Sequence, residues 1–145
     1  MRTSTRSHRP VSLRTASVRH LVSQLQPKGL PVPPPKPLVA SAELLPCLTV
    51  VEKVLAAVSL ARPEPYKDGL RRRVSFLAET LETQVEECGM KLDDTLFVLR
   101  RLGVKHSLVY DRLGDVCAYD FYVKTDAAGK LKAPLDTRVL DFLDH

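Results

Sequence analysis

Between residues 46 and 60 the apolar positions Leu48, Val51, Leu55 and Val58 recur at intervals of three and four, with Val54 beside them. That spacing predicts a helix. Pro46 suits its first turn, where a missing N–H costs nothing. Arg62-Pro63-Glu64-Pro65 then stops it. A second helix is predicted over residues 68–88, with Asp68 as N-cap and Gly89 just past the end. Along it Leu70, Val74, Leu77, Leu81, Val85 and Cys88 keep the helical period. A third covers residues 93–102, capped by Asp93, lined by Leu96, Leu99 and Leu102 and ended by Gly103. Phe97 and Val98 widen its apolar face, which predicts the more central place in the core.

The period then changes to two. Val104, His106, Leu108 and Tyr110 alternate with polar neighbours, Arg112-Leu113-Gly114-Asp115 reads as a turn, and Cys117, Tyr119, Phe121 and Val123 alternate again. This predicts a β-hairpin. A turn over residues 126–129 follows, and Asp136 is placed to cap a short helix that adds Val139, Leu140 and Leu143 to the core. No internal repeat is present. The expected class is α+β: a three-helix domain, then a hairpin and a short C-terminal helix. That layout is winged-helix-like by analogy, with the hairpin as wing, and a disordered basic tail precedes it.

Charge divides the chain. Of its 22 Lys/Arg residues, seven fall in the first 42 positions, before the first acid, Glu43. Removing those seven leaves 15 basic against 17 acidic side chains over residues 43–145. The net charge of +5 therefore comes from the N-terminal stretch, and the rest is slightly acidic. Residues 1–25, rich in Arg, Ser and Thr and free of acid, have the composition of an organelle transit peptide. On a helix, Leu13, Ser17, Leu21 and Leu25 form a stripe with Val18 and Val22 beside it. A retained tail tracking RNA or DNA phosphates is the rival reading, and a solvated tail without a partner is the third. Residues 27–37 hold six of the eleven prolines, which predicts a semi-rigid spacer. Pro31-x-x-Pro34 fits an SH3-type ligand, but a plain linker explains it more cheaply. The expected division is a leader over residues 1–25, a Pro-rich linker over 26–40 and one globular domain over 41–145.

No apolar run approaches the ~18–20 residues of a membrane span, and the N-terminus lacks the apolar segment of a secretory signal. Three cysteines, Cys47, Cys88 and Cys117, are odd in number and far apart, which predicts reduced thiols in an intracellular compartment. Cys88 and Cys117 sit in apolar patterns and are expected to pack as small hydrophobes. Neither they nor His8, His20, His106 and His145 show metal-ligand spacing. His106 reads as a core or edge histidine rather than a base. Asp111, Asp115 and Asp120 are explained by turns and a solvent face. No phosphate loop or nucleophile motif appears, so neither a cofactor nor a small-molecule substrate is expected.

The sharpest local feature is Arg71-Arg72-Arg73. On a helix these would crowd the positive end of the dipole, while Glu79, Glu82, Glu86 and Glu87 lie towards the negative end. Such a helix suggests a partner that sets the charges: RNA phosphate or an acidic protein patch for the arginines. A solvated face held by its apolar stripe is the plainer reading. Arg72-Arg73-Val74-Ser75 also fits a basophilic kinase pattern, which makes Ser75 a candidate phosphorylation site. Tyr110, Tyr119, Phe121 and Tyr122 concentrate on the hairpin. They read first as a hydrophobic plate over the helices and second as a platform for single-stranded nucleic acid. Tyr122, facing away from Tyr119 and Phe121, is the aromatic expected at the surface.

The expected function is that of a non-catalytic structural or assembly component of a larger complex, an organellar ribonucleoprotein such as a mitochondrial ribosome. Its partners would be protein subunits, with RNA as a further one, in the mitochondrial matrix. The candidate contact residues are Arg2, Arg6, Arg9, Arg14, Arg19, Arg71, Arg72, Arg73 and Tyr122. The alternative is a winged-helix-like DNA- or RNA-binding regulator that keeps its basic tail in the nucleus or cytoplasm. An enzyme with a hidden carboxylate or thiol site is a third class.

Overall fold

The structure, a computed structural model, describes residues 13–26 and 44–143. In chain order the elements are α1 (Leu13–Leu25), α2 (Leu48–Leu60), β1 (Glu64–Tyr66), β2 (Gly69–Leu77), α3 (Ala78–Glu87), α4 (Leu92–Leu102), β3 (Lys105–Tyr110), β4 (Val116–Thr125) and α5 (Arg138–Leu143). The four strands form one sheet in the order β1-β2-β4-β3, and each neighbouring pair is antiparallel. The class is mixed α+β, with five helices and a four-stranded antiparallel sheet among the described residues.

The helices gather on one face of the sheet. Tyr119, Phe121 and Val123 point from β4 into a core shared with α1 to α5. At its centre lies α2, whose Val50, Val51, Val54, Leu55 and Val58 are all buried. It packs against α1 on one side and against the sheet, α3 and α4 on others. Its sequence explains this: only Thr49, Glu52, Lys53 and Ser59 interrupt an otherwise apolar surface. The central helix is therefore α2, not α4.

The largest departure from expectation is at residues 68–88. Their first half is a strand, and only Ala78–Glu87 is helical. Asp68 is not a helix cap; with Lys67 it makes the tight turn that joins β1 to β2, Tyr66 pairing with Gly69. Leu70 to Leu77 then pair residue by residue with Thr125 to Ala118. Two features favour the strand. Arg71, Val74 and Phe76 suit an alternating, half-covered surface, and extension sends consecutive arginines to opposite faces instead of stacking them at a helix N-terminus. The shortened α3 opens with Glu79 in its first turn, the sign its dipole favours.

The hairpin is present but is no wing. Its strand β4 is a central strand between β2 and β3, and β3 is an edge. The α3–α4 pair connects β2 to β3 across that sheet. A winged-helix-like arrangement is not confirmed.

The expected helix ends are found in part. Asp93 is no cap but lies in the first turn of α4, whose N-cap is Lys91, and Pro46 precedes Cys47, the N-cap of α2. Gly103 (φ 117°) closes α4 through bonds to the Leu99 and Arg100 carbonyls, both 3.1 Å. Asp136 Oδ1 accepts from the Arg138 N–H at 3.0 Å ahead of α5.

A second correction concerns the N-terminal stretch. Over Leu13–Leu25 it is a helix built into the core: Thr15, Val18, Val22 and Leu25, at intervals of three and four, are buried, whereas Ser17 is exposed. Arg19 Nη2 reaches Asp141 Oδ1 on α5 at 2.6 Å, and the Leu135 N–H donates to Gln26 Oε1 at 2.9 Å. The apolar stripe read as an import signal thus belongs, for these residues, to the folded body. Residues 1–12 and the Pro-rich spacer at 27–37 lie outside the described residues.

Candidate nucleic-acid interface

Antiparallel register sorts β2, β3 and β4 into two faces. Leu70, Arg72, Val74 and Phe76 share a side with Val123, Phe121 and Tyr119, towards the helices. The opposite face carries no described helix and changes character along its length. Its first row is apolar: Leu77, Ala118 and Val109. Next come Ser75, Asp120 and Ser107, then Arg73, Tyr122 and Lys105, then Arg71 and Lys124. On β1, Glu64 lies opposite Arg71, and Tyr66 follows.

The cationic end is organised around Arg71. Its guanidinium carbon sits 4.2 Å from the Tyr66 ring centre and 5.0 Å from that of Tyr122. The two rings are 5.3 Å apart, tilted by 52°. A guanidinium over a ring face is attracted by the ring's quadrupole, and here it fixes both rings. Arg71 Nε and Arg73 Nε each donate to Glu64 Oε2 at 3.0 Å. Arg73 also reaches Ser75 Oγ at 3.1 Å and Asp120 Oδ2 at 3.4 Å, and the Ser75 hydroxyl donates to Asp120. The bond from Arg73, with that from Arg71 behind it, holds the Glu64 carboxyl below its ordinary value and keeps it charged. The Tyr66 and Tyr122 hydroxyls meet at 3.5 Å; this contact lowers the pKa of Tyr66 and raises that of Tyr122.

Four lysines surround this end, none of which the sequence patterns singled out. Lys105 and Lys124 are exposed on the face itself. Lys67 lies 5.2 Å from the Tyr66 ring centre. With Lys124 and Lys132 it borders a hollow of about 60 Å³ beside Gly69. The alternation of β4, which sends Tyr122 and Lys124 to one side, was the available signal.

The arginine triplet splits. Arg71 and Arg73 share the helix-free face with Tyr122, but Arg72 points to the other side. Its guanidinium donates to the Ser59 and Ala61 carbonyls at 2.7 and 3.2 Å and to the Gly129 carbonyl at 3.0 Å. It satisfies orphan carbonyls at the end of α2 and ties down the 126–129 turn, which is a structural duty. Arg14 falls in the first turn of α1, Arg19 is committed to Asp141, and Arg2, Arg6 and Arg9 lie outside the described residues. Ser75 sits on a strand, not on a helix. A phosphate there would displace its bond to Asp120 and face that carboxylate.

The cysteines correct another expectation. Cys88 and Cys117 are exposed, and it is Cys47 that is buried. Asp111 organises the hairpin turn, accepting from the Leu113 and Asp115 N–H groups at 2.9 and 3.0 Å. Asp126 repeats the arrangement towards Ala128 and Lys130. Among the described residues no group of three or more His, Cys, Asp or Glu side chains could hold a metal ion, and no helix is long and apolar enough to cross a membrane.

What the sheet face offers chemically is a pair of aromatic rings, a guanidinium over both and ammonium groups spaced along adjacent strands. Compared with known proteins, the chain matches no family model, no curated protein and no solved structure.

Proposed function

We propose that the chain is a non-catalytic structural component of an organellar ribonucleoprotein, such as a mitochondrial ribosome, and that it docks RNA on the cationic end of its sheet. The observation that carries this reading is the Tyr66–Arg71–Tyr122 cluster on a face without described helices, flanked by Lys105 and Lys124. Ring faces accept bases of any sequence, and ammonium groups neutralise phosphates. The apolar row Leu77–Ala118–Val109 at the far end of the same face suits a neighbouring protein subunit.

The acid-free N-terminus supports import into the mitochondrial matrix. Because α1 contributes to the core, the cleavage proposed here falls before Leu13. A regulator that reads duplex DNA with a helix is less well supported. The N-terminus of α4 bears Asp93 and Asp94, which a phosphate groove repels.

The test is sedimentation of the tagged full chain from mitochondrial extract, with the mature N-terminus determined on the same material. Co-migration with ribosomal particles, dispersed by ribonuclease, is expected, with a mature end before Leu13. A free monomer in the gradient, with Met1 intact, overturns the proposal.

A further inference from the structure

Cys47 and Cys88 are 41 residues apart in the chain, yet their sulfurs lie 3.3 Å apart. Cys47 is the N-cap of α2 and Cys88 the C-cap of α3. Both backbones are anchored: the Cys47 N–H donates to Thr95 Oγ1 at 2.9 Å, and the Cys88 N–H to the Val85 carbonyl at 3.1 Å. A disulfide needs a sulfur separation near 2.05 Å, so closure asks for an approach of about 1 Å. The pair is also asymmetric: Cys88 is exposed and Cys47 buried. One thiol is open to a reagent, and the other is held behind it.

We propose that Cys47 and Cys88 are a redox modification site that takes a small-molecule disulfide, such as oxidised glutathione, and closes into an intramolecular disulfide. The Cys88 thiolate attacks one sulfur of the reagent, whose S–S bond breaks and releases one glutathione thiolate. Cys47 then loses its proton, attacks the Cys88 sulfur and expels the second. Two protein thiols are oxidised, one disulfide is reduced to two thiols, and the two protons pass to the departing thiolates. The contact with Cys47, then burial, raises the Cys88 pKa, so the exchange quickens as pH rises. The closed bridge staples the start of the central helix to the end of α3. It encloses β1 and β2, the strands that carry Tyr66, Arg71 and Arg73.

The experiment equilibrates the reduced full chain with glutathione buffers of increasing oxidation, then quenches, digests and maps it by mass spectrometry. The expected product is a Cys47–Cys88 peptide pair with no retained glutathione. Its melting temperature rises by on the order of 10 °C over the reduced chain. The Cys88→Ser variant loses the rise, and Cys117→Ser, altered at the exposed third cysteine, keeps it. A lasting glutathione adduct on Cys88 with Cys47 still open to alkylation overturns the proposal. So does a bridge formed with Cys117.

Discussion

Arg72 Nε donates to the Gly129 carbonyl at 3.0 Å, and a side chain at Gly129 would bring its Cβ within 2.9 Å of Pro63. The contact closes the 126–129 turn onto the loop after α2, and Arg72 Nη1 donates to the carbonyls of Ser59, in the last turn of α2, and of Ala61, just beyond it. Arg72→Ala is therefore expected to cost roughly 1.5–3 kcal/mol, the range for hydrogen bonds to charged groups. Arg73→Ala, on the more exposed face, is expected to cost about 1 kcal/mol or less. Urea denaturation of both variants checks the order. Replacing all three arginines at once would confuse a folding defect with a binding defect.

The place of α1 leads to a second expectation. Val22 is buried against the body, so Val22→Ala should lower stability by roughly 1.5–3 kcal/mol. A change within about 0.5 kcal/mol, the size of a surface substitution, would mean that α1 is not part of the core. The Leu25–Gln26 bond in limited proteolysis gives a second readout: protected in the native chain, cleaved in the variant.

A third expectation concerns acid. His106 lies beside the Phe121 ring, at 6.2 Å between centres, and its Nδ1 is buried without a hydrogen-bond partner. Burial first, and nearby Arg100 second, hold its pKa below the ordinary 6.5. The unfolded chain thus takes up the proton first as pH falls. Stability is full above about pH 6.5, declines towards the lowered folded value and is flat in this group below it. Asp136, lowered below 3.8 by its bond from Arg138, and Glu64, lowered below 4.5 by Arg73, add further losses at lower pH. Urea midpoints measured from pH 7 to pH 5 should fall for the native chain and stay level in His106→Phe. An equal slope in both would assign the decline to other groups.

How far the sequence was legible depended on which force decided each segment. The helix at α2, the C-terminal end of α4 and the β3–β4 hairpin follow from periodicity and from glycine, which only local chemistry governs. The residues of β2 misled because Leu70, Val74 and Leu77 satisfy a helical period as well as they satisfy strand neighbours. The deciding signal was the two-residue turn Lys67-Asp68 between Tyr66 and Gly69, which an N-cap reading of Asp68 hides. For α1, composition suggested a tail, but Val18 and Val22 found a long-range partner in α2 that no local pattern announces. The site was half visible. Tyr122 faces away from the core as alternation requires, whereas Arg72 and Tyr66 could be placed only once β2 was known to be a strand.

The most direct measurement is fluorescence anisotropy of single-stranded RNA titrated with the full chain at several salt concentrations. Lys105 and Lys124 are exposed, so Lys105→Glu with Lys124→Glu should leave folding intact. The account predicts affinity at least ~10-fold weaker for this pair and a salt dependence shallower by about two phosphate contacts. It predicts no change for Arg112→Glu in the hairpin turn. Binding untouched by the lysine reversals but abolished by removing residues 1–12 would contradict it.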